Sequence, residues 1–194
     1  MDERLREAFD AIHADEGLKA RTRACLAARR TPVRRRLLAA AAALCLLLAA
    51  GAALYAVPTA YLSIDLNPSM ELGINRFDRV VSVRSYNEDG DALADALDLR
   101  FRDYRDALEA VLAEPAVAEA LGAGGVMTLT VAGEDGGRQA AILDAVQSCT
   151  ASQSNVRCQA CGMEALQEAR RAGMSLGRYR ALRRLQELDP SVTA

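Results

Sequence analysis

The chain has 194 residues, 51% of them hydrophobic, with 24 Lys and Arg against 26 Asp and Glu, one His and no Trp. That length holds one ordinary domain with accessories and argues against a multidomain enzyme. A mean hydropathy near zero is that of a soluble globule, yet the average conceals a single uncharged block from Leu37 to Val57 made almost entirely of Ala and Leu.

At the N-terminus, Leu5, Ala8, Phe9 and Ile12 fall at i, i+3, i+4 and i+7, the spacing of one apolar helix stripe. Gly17 interrupts, and a second helix over about 18–29 places Leu18, Thr22, Cys25 and Leu26 on one face. So short a segment, with so few large apolar side chains, lies below the roughly 40 residues at which a domain folds unaided. We expect residues 1–36 to order against a partner through Leu5, Phe9, Ile12, Leu18 and Leu26; a solvated stalk is the plain alternative.

The block at 37–57 follows. Twenty-one helical residues span about 31 Å, the thickness of a bilayer's hydrocarbon core, so we expect an uncleaved membrane helix. A cleaved leader has a shorter apolar core, of about 7 to 15 residues. Arg29, Arg30, Arg34, Arg35 and Arg36 precede the block, whereas Tyr55 and Tyr61 lie at its far end and no Lys or Arg appears until Arg76. By the positive-inside rule the N-terminus is cytoplasmic and the C-terminus extracytoplasmic.

Beyond the membrane the period changes to two. Leu62, Ile64 and Leu66 alternate with Tyr61, Ser63, Asp65 and Asn67, the pattern of a strand buried on one side. Met70, Leu72 and Ile74 repeat it after Asn67-Pro68-Ser69, and Val81 and Val83 continue it after a turn at 76–79. Asn87 to Asp91 is a polar turn. Helices are expected over about 101–112 and 115–121, a fourth strand over 126–132, and then a helix whose Ala141, Ile142, Ala145 and Val146 share a face. A tail follows with two helical stretches parted by Gly173, the second starting at Ser175 as its cap. The fold class is α+β: a short helical cytosolic segment, one membrane helix, an extracytoplasmic antiparallel sheet in the order β-β-β-α-β-α covered by a layer of helices, and a helical C-terminal tail. The parts are residues 1–36, 37–57, 58–151 and 152–194.

Asn67-Pro68 is the pair with the most pointed chemistry. An Asn amide nitrogen can attack its own carbonyl carbon, forming a succinimide and expelling the next residue's nitrogen. The usual competing deamidation needs the following backbone N–H, which Pro lacks. Cleavage therefore becomes the open path where the fold holds the amide near attack geometry. Asn-Pro is also an ordinary turn starter.

The five cysteines divide by expected compartment, with Cys25 inside, Cys45 in the membrane, and Cys149, Cys158 and Cys161 outside. Cys158 and Cys161 form a C-x-x-C, but no βαβ pattern surrounds it and His13 lies across the membrane, so a structural disulfide within the outer three is expected rather than a redox or zinc site. No metal and no cofactor is called for. The tail arginines Arg170, Arg171, Arg178, Arg180, Arg183 and Arg184 form a solvated helix face on the wrong side of the membrane for nucleic acid.

The run from Tyr61 to Val83 (YLSIDLNPSMELGINRFDRVVSV) closely resembles the start of the extracytoplasmic domain in RsgI-type anti-sigma factors. Residues 11–22 (AIHADEGLKART) are similar to the sigma-binding region of related membrane anti-sigma proteins, and the tail around 173–193 is similar to tails of the same group. The resemblance implies a transmembrane anti-sigma factor that sequesters an alternative sigma factor and transmits an outside signal. It also implies self-cleavage between Asn67 and Pro68, with Asp65 and Ser69 as assisting neighbours, and later cutting by an intramembrane protease. The sugar-binding or sugar-cleaving modules of larger relatives have no counterpart in these residues. The competing reading is a membrane-anchored interaction domain without sigma-factor binding. A hydrolytic enzyme fares worst, because the outer part has no His and no nucleophile motif.

Overall fold

A computed structural model describes residues 15–189 together with Arg6, Glu7, Phe9 and Ser191, with backbone alone at residues 28–32. The chain divides into two units, residues 1–52 and 53–194.

The first unit is dominated by helix α1, Glu16–Ala56. The segment expected over 18–29 and the membrane block are thus one continuous helix. Its stretch Val33–Ala56 holds an 18-residue window of mean hydropathy 2.5, none of it buried. Leu37, Leu38, Leu46, Leu47 and Leu48 all project outward. A helical window apolar all round has the length and composition of a membrane span. Among the described residues it is the one helix long and apolar enough to cross a membrane.

The second unit is built on strands β1 (Pro58–Asp65), β2 (Ser69–Asn75), β3 (Val80–Ser85), β4 (Met127–Gly133) and β5 (Val156–Cys161). They form one sheet in the order β3-β2-β1-β4-β5. The first four pair antiparallel, and β5 lies parallel to β4. Helices α2 (Glu88–Ala96), α3 (Tyr104–Ala113), α4 (Pro115–Gly122) and α5 (Gly136–Cys149) precede β5, and α6 (Met163–Arg171) and α7 (Leu176–Leu188) follow it.

The main core lies on one face. Ala60, Leu62 and Ile64 of β1, Met70, Leu72 and Ile74 of β2, and Met127, Leu129 and Val131 of β4 pack against Tyr104, Leu108 and Val111 of α3, Val117 of α4, and Ile142 and Val146 of α5. Of these, Leu62, Ile64, Met70, Leu72, Ile74, Ile142 and Val146 are positions that the alternation and the helical spacing mark. A smaller cluster, Ala132, Leu166, Ala169 and Leu176, packs α6 and α7 onto the opposite face beside Tyr61.

Three expectations need correction. The sheet is mixed, because Val156–Cys161, assigned to a helical tail, is a fifth strand reached from β4 through α5. Helices cover both faces, so β1 and β2 are not half exposed: every residue of β2 is buried, and Ser63 on the supposedly wet side of β1 is 0% exposed. The polar turn at 87–91 is the first turn of α2. Asn87 caps it by accepting from the Gly90 N–H, and Glu88, Asp89 and Asp91 place negative charge where the helix dipole favours it.

Candidate functional site

Strands β1 and β2 are joined by Leu66, Asn67 and Pro68, with Asp65 paired opposite Ser69 and the Leu66 N–H donating to the Pro68 carbonyl at 3.3 Å. The Asn67–Pro68 peptide bond is cis. Asn67 is exposed and Pro68 buried, so the bond lies at the boundary between solvent and core.

The Asn67 side chain is held at both ends by α2. Its Nδ2 donates to Asp89 Oδ2, and its Oδ1 accepts from Asn87 Nδ2 at 2.5 Å. Asn87 is itself fixed, since its Oδ1 accepts from Ser69 N at 2.9 Å and Gly90 N at 2.9 Å. One side chain thereby caps the helix, anchors the first residue of β2 and orients the Asn67 amide. The approach is close enough that a Cβ on Gly90 would sit 2.3 Å from the Ser69 carbonyl oxygen, so glycine is required there. An open groove beside the turn, lined by Asn67, Pro68, Asp89, Leu93, Glu114 and Ala120, leaves the bond accessible to water.

Asp65 and Ser69 are close to the bond but turned to other partners. Asp65 accepts from Ser63 Oγ at 2.8 Å, from Ser69 Oγ at 3.4 Å and from the Gly177 N–H at 3.0 Å. The last contact puts a β1 carboxylate on the N-terminus of α7, 112 residues away. Ser175 occupies the cap position of that helix without a capping hydrogen bond, and Asp65 does the capping in its place. Among the described residues, the partners of the Asn67 amide are Asp89 and Asn87. Periodicity missed both. The signal that could have found them is the helix start Asn87-Glu-Asp-Gly90, read together with the hairpin that carries it back beside the turn.

The polar face of the sheet carries a second buried constellation. Glu71, 2% exposed, accepts from Arg170 Nη2 at 2.5 Å and Nε at 3.2 Å, and from the Tyr86 hydroxyl at 3.0 Å. The Arg170 guanidinium also lies 4.3 Å over the Tyr61 ring. Burial, with the Glu71 carboxylate beside it, pushes the Tyr86 hydroxyl up to about 12. Burial opposes the charge on Arg170, but the hydrogen bond and charge of Glu71 outweigh it and raise Arg170 above its ordinary value.

Cys149, Cys158 and Cys161 are free thiols in the structure. Cys158 packs with Cys149 against the main core, while Cys161 packs on the other face with α6. The C-x-x-C therefore straddles the sheet, and its two thiols cannot meet within a strand. A βαβ unit does surround it, contrary to the sequence reading, but the cysteines sit in the strand rather than at a helix N-terminus. Burial pushes the thiols of Cys149 and Cys161 up, the opposite of what a reactive thiolate needs. No metal-holding group of His, Cys, Asp and Glu occurs among the described residues.

On the first unit, Phe9, Leu18 and Leu26 are exposed at 70%, 58% and 59%. Leu5, Ile12 and His13 lie outside the described residues.

A capped hairpin at an Asn-Pro bond, in an α+β domain that follows a long apolar helix, defines a class that comparison with known proteins makes specific. Residues 59–184 match the family described as the anti-sigma factor RsgI-like central domain, and the chain belongs to that family. It is 28% identical over 152 residues to anti-sigma-I factor RsgI7 of Acetivibrio thermocellus, covering 72% of this chain and 27% of that protein. It is 40% identical over 63 residues to anti-sigma-I factor RsgI9 of the same organism, covering 32% of this chain and 8% of that protein. The chain thus spans about a quarter of the first relative's length and under a tenth of the second's.

Proposed function

We propose that this chain is a single-pass membrane anti-sigma factor, N-terminus cytoplasmic, whose outer domain cuts its own Asn67–Pro68 bond and keeps both pieces together. The observation that carries the reading is the fixed Asn67 amide, held between Asp89 and Asn87 beside a Pro that closes the deamidation route.

In the reaction, Asn67 Nδ2 attacks the Asn67 backbone carbonyl carbon and gives its proton to Asp89. The bond to the Pro68 nitrogen breaks, and that nitrogen takes up the proton. The products are a C-terminal succinimide on residues 1–67 and a free Pro68 amine, and water from the groove then opens the imide. Asn87 steadies the charge that gathers on the side-chain oxygen as the nitrogen loses its proton. Asp65 and Ser69 act as positioning residues that hold the base of the hairpin.

The cut leaves β1 as the last strand of the N-terminal piece, between β2 and β4 in the middle of the sheet. Both of its ladders survive the loss of one peptide bond. On the cytoplasmic side, residues 1–36 mask an alternative sigma factor through Leu5, Phe9, Ile12, Leu18 and Leu26, and an intramembrane protease acts after the outer pieces part. The chain itself needs no nucleic acid. If the outer cysteines oxidise, Cys149 and Cys158 are the pair that shares a face, leaving Cys161 free.

The test is to express the full chain in membranes and weigh its fragments. Wild type should give pieces that meet between 67 and 68, Asn67→Ala should stay whole, and Asp89→Asn should cut about 100-fold more slowly. An intact wild type ends the self-cleavage reading. Co-purification of a sigma factor with the full chain tests the regulatory half, and Phe9→Ala should weaken that complex by about 2 kcal/mol. If no sigma factor is retained, an anchored interaction domain is what remains.

A further inference from the structure

Two loops of the outer domain carry an exposed Phe between arginines: Arg76-Phe77-Asp78-Arg79 after β2 and Arg100-Phe101-Arg102 before α3. Phe77 is 55% and Phe101 62% exposed, and Arg76, Arg79, Arg100 and Arg102 are all exposed. Their rings are gathered rather than scattered. Phe77 stacks 5.9 Å from Tyr55 and Phe101 stacks 6.3 Å from it, at interplanar angles of 23° and 25°. Tyr55 lies in the last turn of the apolar helix α1.

The platform beneath is rigid. Asn75, fully buried, donates from Nδ2 to the Tyr55 carbonyl at 2.8 Å and accepts the N–H groups of Phe77 and Arg79 at 2.9 and 3.0 Å. The second loop is tied to the first, since Phe101 N donates to the Val80 carbonyl, Val80 N donates to the Arg102 carbonyl, and the backbones of Arg79 and Asp103 form an antiparallel β-bridge. Asp78, the acid between the arginines, is taken up by Arg138 at 2.9 Å. Phe101 has φ +65°, a left-handed conformation that is disfavoured for a bulky residue. The fold holds an unfavourable backbone in place to present an apolar ring to the outside.

Aromatic rings at the level of a membrane helix's end, ringed by long cationic side chains, are the composition of a bilayer interface. The rings sit among headgroups and the guanidinium groups reach phosphates. We infer that the loops 76–79 and 100–102, with Tyr55, form a docking surface for anionic phospholipid headgroups that seats the outer domain on the membrane where α1 leaves it. The inference rests on α1 spanning the bilayer. The occupant is the same membrane, because Tyr55 joins the patch to the helix without a gap.

Because the chain has no Trp, single substitutions report their own surroundings. Tyr55→Trp, Phe77→Trp and Phe101→Trp versions of the full chain are reconstituted in bilayers containing anionic phosphatidylglycerol or phosphatidylcholine alone, each doped with headgroup-level spin-labelled lipid. All three should be quenched in the anionic bilayer, Phe77→Trp and Phe101→Trp within about 2-fold of Tyr55→Trp. Quenching of the latter two should fall several-fold in phosphatidylcholine or when Arg76, Arg79, Arg100 and Arg102 are replaced by Ser. Quenching of Tyr55→Trp alone overturns the docking surface while leaving the membrane helix intact. Loss of quenching at all three removes the spanning helix and the surface together. Protection of Phe77→Trp and Phe101→Trp from aqueous iodide without lipid quenching overturns the lipid assignment in favour of a protein cover.

Discussion

The two faces of the sheet are held by different physics. On the α3–α5 face, alternate residues of three strands bury aliphatic side chains against helices, and stability follows from area removed from water. On the α6–α7 face, the strands contribute Ser63, Asp65, Ser69, Glu71 and Thr130, and α6 and α7 are attached through directed contacts, among them Glu71–Arg170 and Asp65–Gly177, over a small apolar patch. The first face tolerates changes in detail and punishes loss of volume. The second face depends on particular atoms meeting.

The largest blow to this contrast comes from the apolar side. Leu62→Ala, at the centre of β1 and 0% exposed, should lower unfolding free energy by about 4 kcal/mol in urea titration of the full chain in detergent. A loss below about 1 kcal/mol would mean that the face is not close-packed. Next is Arg170→Ala, which strands the buried Glu71 carboxylate and should cost about 3 kcal/mol. Replacing both partners by Leu should cost clearly less, and equal losses would show that pairing is not what the tail contributes. Gly177→Ala follows at about 1–2 kcal/mol, because the new Cβ would lie 2.3 Å from Asp65 Oδ2 and displace the cap. In an Asp65→Ala background the same change should be nearly silent, so additive losses would break the link.

The smallest effect is pH-dependent. Tyr86 is raised in the folded state from 10.0 to about 12, so the folded chain holds its proton more tightly than the unfolded chain does. That contribution is complete below pH 10 and is lost as the pH rises toward about 12. Wild type should weaken over this window more than Tyr86→Phe. Parallel alkaline profiles would detach Tyr86 from the Glu71 group.

The same contrast explains what was legible in the sequence. Leu62, Ile64, Met70, Leu72, Leu129 and Val131 announce strands because their period is two, and Ile142 and Val146 announce a helix because they lie four apart. The polar face gives the opposite impression. Ser63 and Glu71 look wet because a single residue's chemistry does not reveal that Arg170, 99 positions later, will cover it. Strand β5 escaped because Val156-Arg-Cys-Gln-Ala-Cys161 alternates weakly and pairs only through a crossover. Helix α2 escaped because Gly90 in its first turn reads as a break, although the fold needs glycine there for the close approach to Ser69. The Asn67-Pro68 pair was visible as a chemical possibility. Its setting was not, since Asp89 and Asn87 reach the amide through tertiary structure.

The bond between Asp65 and Gly177 joins one of the first segments of the outer domain to one of the last across 112 positions. A chain made from its N-terminus can lay β1 against β2 as soon as both emerge. The outer edge of β4 stays unpaired until β5 emerges, and the Asp65 and Glu71 carboxylates stay hydrated until α6 and α7 follow. Assembly around the middle strand thus waits for residues made 112 positions later, so a ribosome that stalls before residue 170 leaves a domain with one finished side and one open one.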